Sequence, residues 1–97
     1  MPYFKVMLSG RGIELSLEGT PVVGFFTTRV VRSPDISTAQ RDVMERVLSE
    51  WRPGGEYAAA NRGSVPALAV EDSFQVPYLA GLFGRRGGGY TFYRHDD

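Results

Sequence analysis

Between Gly24 and Trp51 a stretch rich in β-branched and aromatic residues, Gly24-Phe25-Phe26-Thr27-Thr28-Arg29-Val30-Val31-Arg32, feeds directly into a helical pattern. This juxtaposition constrains the fold most, because it sets a strand, a break and a helix in a definite order. Ser33-Pro34-Asp35 stops the strand. Ser37 and Gln40 then have capping-box spacing, in which the Ser37 hydroxyl accepts from the Gln40 amide and the Gln40 side chain reaches back. Ala39, Val43, Val47 and Trp51 recur every four residues, and Met44 and Leu48 widen the stripe, so one helix face is apolar. Arg41, Asp42, Glu45, Arg46, Ser49 and Glu50 take the other side, and Pro53-Gly54-Gly55 ends the helix. On the preceding strand, residues 22–32, Phe25, Thr27, Arg29 and Val31 share one face and Phe26, Thr28 and Val30 the other. Apolar residues on both faces predict a strand covered on both sides, with a second chain able to supply one cover.

Upstream, residues 3–9 alternate, with Phe4, Val6 and Leu8 against Tyr3, Lys5, Met7 and Ser9. Ser9-Gly10-Arg11-Gly12 supplies glycines that tolerate positive φ, and residues 13–18 resume the alternation with Ile13, Leu15 and Leu17 on one face. The pattern predicts a hairpin of two strands joined at residues 9–12. Downstream, residues 56–64 read as a short helical turn or a loop. Residues 66–71 read as a strand with Leu68 and Val70 inward. The apolar run 74–83, broken by Pro77 and Gly81, reads as irregular, and Tyr90-Thr91-Phe92-Tyr93-Arg94 as a final aromatic strand. The expected architecture is a single α+β domain over residues 1–97. It has an antiparallel sheet of about five strands, in the order β-β-β-α-β-β, with one long helix on one face, loosely ferredoxin-like. One helix leaves the far side of such a sheet uncovered.

Composition narrows the function. Eleven acidic and eleven basic side chains cancel, without the basic excess that gripping a phosphate backbone calls for. Cysteine is absent, which removes disulfides, thiolate nucleophiles and cysteine-based metal sites together. The single histidine, His95, stands two residues before the end beside Asp96 and Asp97, a poor place for a general base or a metal site. No catalytic residue, metal or cofactor is assigned. No apolar run approaches the ~18–20 residues of a membrane span. The apolar fraction of 42% and charged fraction of 23% suit a soluble globular protein, and small size with an apparent GC-rich codon bias makes a cytoplasmic protein of bacterial type the expectation.

Ten of the eleven basic residues are Arg and only Lys5 is lysine, which fits either a GC-rich genome or selection for planar, bidentate anion contacts. Four arginines are candidate ligand-binding residues. Arg29 and Arg32 interrupt an otherwise apolar strand, and a charge there needs a partner: Glu71, Asp42 or the carboxylate of a ligand. Arg85 and Arg86 lie in Gly84-Arg85-Arg86-Gly87-Gly88-Gly89, which reads as an anion clamp or as a connection letting the last strand turn back. Neither the phosphate-loop nor the dinucleotide-binding pattern is present there. Tyr90, Phe92 and Tyr93 near arginines have the makings of a base-stacking platform, but Tyr, Phe and Thr are also the best strand formers and the net charge is zero, which favours packing in an edge strand. Glu71-Asp72, as neighbours on a strand, point to opposite faces and do not act as an acid–base pair.

With Gly24-Phe25-Phe26-Thr27-Thr28-Arg29 before a helix and Gly89-Tyr90-Thr91-Phe92-Tyr93 near the end, the chain resembles a group of small uncharacterised bacterial α+β proteins. They share a Gly-Phe-Phe/Tyr-Thr-Thr-Arg strand and an aromatic C-terminal strand. The resemblance implies no activity and no site residue. The expected function is a non-enzymatic association module, either a homodimer or a small regulatory or immunity-type subunit with a protein partner. Binding of a small anion through the four arginines is the alternative, and nucleic-acid binding ranks third.

Overall fold

Two long strands carry most of the architecture. The computed structural model describes residues 1–80 and 89–94. It contains β1 (Tyr3–Leu17), β2 (Thr20–Arg32), α1 (Ile36–Trp51), β3 (Ala67–Val76) and β4 (Tyr90–Tyr93). The strands form one antiparallel sheet in the order β3-β1-β2-β4. Strands β2 and β3 flank β1 and run the same way, so α1 is the crossover of a split βαβ unit. The α+β class and the single long helix are as expected. The five strands and the ferredoxin-like order are not: the described sheet has four strands.

The difference arises at residues 9–12, where β1 runs straight through the expected turn. Its pairing with β2 shifts register between Arg11 and Leu15, and Gly12 takes a φ of 91° inside this bulge. Extra residues in one strand change which side of the pleat faces the core. Phe4, Val6 and Leu8 are therefore buried before the bulge, and Ile13 and Leu15 after it. Two alternating runs with a phase change belong to one bent strand. The reversal comes later, at Glu18 (φ 50°) and Gly19 (φ 81°), which link Leu17 to its partner Thr20. Two consecutive left-handed residues are what a two-residue type I′ hairpin needs.

Alternation on β2 is as the sequence reading has it. Phe25, Thr27 and Val31 turn toward the helix, while Phe26 and Thr28 are exposed on the opposite side. Helix α1 buries Ala39, Val43, Val47 and Trp51, the expected stripe, against Phe4, Val6, Leu8, Phe25 and Val31. Phe25 stacks on Trp51 at 5.3 Å between ring centroids, and Trp51 stacks on Tyr57 at 4.9 Å. Each such pair adds about 0.5–1.5 kcal/mol beyond burial.

The helix cap is Asp35, not Ser37. Extended backbone at Asp35 lets its carboxylate accept from the Thr38 amide at 2.8 Å, which holds the carboxyl below its usual pKa. Gln40 is drawn away to β3, where it donates to the Ser73 hydroxyl at 2.6 Å. Beyond the helix, Ala60 and Asn61 donate to the Tyr57 carbonyl, making one helical turn. Asn61, Arg62 and Ser64 then bond the β1 backbone at Gly12 and Glu14, past the end of β3. Strand β3 takes in residues 74–76, part of the run read as irregular.

Candidate functional site

Residues directly opposite in an antiparallel ladder share a face, so the registers lay out the side of the sheet turned away from α1. Across β3, β1 and β2 its rows read Val76–Tyr3–Arg32, Phe74–Lys5–Val30, Asp72–Met7–Thr28, Ala69–Ser9–Phe26 and Ala67–Arg11–Gly24. Thr91 and Tyr93 of β4 extend the last two rows. Residues 78–80, the helical start within the run read as irregular, cover one corner, where Tyr78 meets the Tyr3 ring edge-on and leaves it 2% exposed; no other described element lies over this face. Met7, Phe26 and Phe74 are 38%, 50% and 42% exposed there. Lys5, Arg11, Arg32, Glu71 and Asp72 surround them.

Both Glu71 and Asp72 reach this face, contrary to the simple alternation expected of them. Pairing of β1 with β3 shifts between Met7 and Leu8, which leaves Glu71 as the extra residue of a bulge. Asp72 stays opposite Met7, while Glu71 accepts from the Ser9 hydroxyl at 2.5 Å.

A hollow of about 320 Å³ opens between these strands, lined by Ser9, Arg11, Phe26, Ala69, Glu71 and Tyr93 among others. It exists because Ser9, Ala67 and Ala69 are short while their neighbours are tall. Its aromatic wall depends on Gly24, since a Cβ there would run into the Tyr93 ring. Tyr93 lies across that glycine and meets Phe26 at 5.4 Å between centroids. Arg11 on the rim forms no ion pair and no hydrogen bond among the described residues. The sequence reading passed over Arg11 because its flanking glycines suggest a turn; as a strand residue it follows Lys5, Met7 and Ser9 on the outward alternation.

The four arginines singled out from the sequence do not form one cluster. Arg29 points to the helix face and meets Glu50 of α1 through two bonds, Nη1 to Oε2 at 3.1 Å and Nη2 to Oε1 at 3.3 Å. Its partner is thus neither Glu71 nor Asp42. Arg29 Nε also donates to the Thr27 hydroxyl, and the guanidinium sits 5.3 Å from the centre of the Tyr90 ring. Burial opposes the Arg29 charge, but the bonds to Glu50 outweigh it and raise the pKa. The Tyr90 hydroxyl donates to Glu50 Oε1 at 2.8 Å and accepts from Trp51 Nε1 at 3.3 Å. Burial, followed by the bond to Glu50, pushes the Tyr90 phenol well above its usual range. Arg32 lies on the outer face, where Nε donates to the Met1 carbonyl. Arg85, Arg86 and His95 lie outside the described residues.

Tyr90 and Phe92 pack against the core beside Phe25 and Trp51, which leaves Tyr93 as the outward ring of β4. A stacking platform of all three aromatics is therefore not formed. Among the described residues no three His, Cys, Asp or Glu side chains gather as metal ligands, and no helix is long and apolar enough to cross a membrane. No family model matches the chain, and neither a curated protein nor a solved structure matches it.

Proposed function

We propose that this protein is a non-enzymatic association module that pairs with a second copy of itself through the outer face of the sheet. The observation that carries the reading is the band of Phe74, Met7 and Phe26, exposed on the part of the outer face that no described element covers. A chain this small buries a modest share of its surface alone, and covering the second face of its sheet adds apolar burial at roughly 25 cal/mol per Å². Charge favours a copy over a strongly charged partner. Acidic Glu71 and Asp72 sit on β3, and basic Lys5, Arg11 and Arg32 on β1 and β2, so the face is two-signed while the chain is neutral overall. The half-buried ionisable groups Arg29, Glu50 and Tyr90 are spent on one another, which supports a structural role for them.

Light scattering over a concentration series tests this. The expected mass is two chains of 10.7 kDa each. Phe74→Asp, which places a charge in the band without touching the core, should return the mass of one chain with an unchanged circular dichroism spectrum. A single-chain mass for the wild type into the millimolar range overturns the reading, whether or not some other protein then occupies the face.

A further inference from the structure

The hollow at the Arg11 end of the outer face goes beyond pairing of two copies. We propose that it binds a small molecule made of one aromatic ring and a singly charged carboxylate. Its volume of about 320 Å³ falls at the lower end of small-molecule sites and suits a one-ring compound. Phe26 and Tyr93, tilted 41° to each other, give the ring an apolar wall, and the short side chains of Ser9, Ala67 and Ala69 give it a floor. Arg11 stands on the rim with its guanidinium uncommitted among the described residues, and its planar fork matches a carboxylate. Glu71, held by Ser9, keeps a second negative charge beside the site, which disfavours a doubly charged phosphate and leaves the monoanion preferred. Gly24 makes room for the Tyr93 ring on the row that contains Arg11.

The site is complete in one chain and shares Phe26 with the pairing face, so it is open in the unpaired protein. Phe74 lies in the Lys5 row, six residues along β1 from Arg11 and hence about 20 Å away. Titrations run in the Phe74→Asp background therefore separate ligand binding from self-association. The probes are phenylacetate and its neutral counterpart 2-phenylethanol, followed by nuclear magnetic resonance shifts of the β1, β2 and β4 amides. Phenylacetate should saturate at millimolar concentration and bind at least tenfold tighter than the alcohol. Arg11→Ala should abolish that preference while leaving the alcohol's affinity unchanged, and Tyr93→Ala should weaken both probes. Equal affinities for the two probes, an undiminished preference in Arg11→Ala, or no saturable shift at the hollow up to about 10 mM overturns the proposal. A one-chain mass for the wild type, with these titrations intact, overturns the pairing alone.

Discussion

Gly10 and Gly24 show how much a single missing side chain does in this sheet. A Cβ on Gly10 would enter the Phe25 ring, which is fully buried and stacked on Trp51, so the ring has nowhere to go. A Cβ on Gly24 would enter the Tyr93 ring, which is partly exposed on the edge strand and able to swing away. Gly10→Ala should therefore destabilise by about 1–3 kcal/mol in urea unfolding, the range for overpacked cores, and Gly24→Ala by clearly less. Equal losses would show that Phe25 can yield. Gly24→Ala should nonetheless collapse the aromatic wall of the hollow. Neither role is legible in the sequence, where Gly10 reads as part of a turn and Gly24 as one residue of a strand. What was legible at this scale was that Arg29 needs a partner; that the partner is Glu50 was not, because the helix pattern assigns Glu50 to its polar side.

At the scale of elements, the four-residue repeat from Ala39 to Trp51 and the two faces of β2 were readable, since each is a periodicity within one segment. The ends of the elements were not. Ser37 and Gln40 satisfy the capping-box pattern, yet Asp35 precedes them with the extended backbone a cap requires, and Ser73 competes for Gln40. The hairpin offers a sharper case. Its turn places Glu18 at a φ of 50°, a conformation that Asn tolerates far better. Glu18→Asn creates an Asn-Gly turn and should stabilise the protein by roughly 0.5–1 kcal/mol, read as a raised urea midpoint with an unchanged slope. Asn-Gly would have specified the type of this turn from sequence; Gly19-Thr20-Pro21 marks only a break between two strands there, while the glycines of the bulge at residues 10 and 12 advertise a turn that is not made.

For the whole molecule, the group joining Arg29, Glu50, Trp51 and Tyr90 ties β2, the end of α1 and β4 together. Strand β4 is four residues long and pairs with β2 alone, so the Tyr90 hydroxyl is a main polar tie between it and the helix. The folded-state pKa of Tyr90 is raised above the ordinary value of 10.0, so its stabilisation is complete below about pH 10 and is lost as the pH rises through the folded value. Tyr90→Phe should cost about 1–2 kcal/mol at pH 7. The wild type should then lose more stability than the variant as the pH climbs above 10, and parallel melting curves across that range would remove Tyr90 from this role. By itself the sequence determined a sheet under one long helix, the apolar stripe of that helix and the two-faced β2. These follow from repeats of two and of about four residues, which the backbone geometry converts directly into faces. Only the tertiary structure decided that residues 3–17 form one strand, that Glu71 joins Ser9, and that Gly24 lies under Tyr93. Those facts depend on register and strand order between segments far apart in the chain. A bulge shifts the register by a residue or two wherever doing so buries more apolar surface, and no local stretch of sequence contains that comparison.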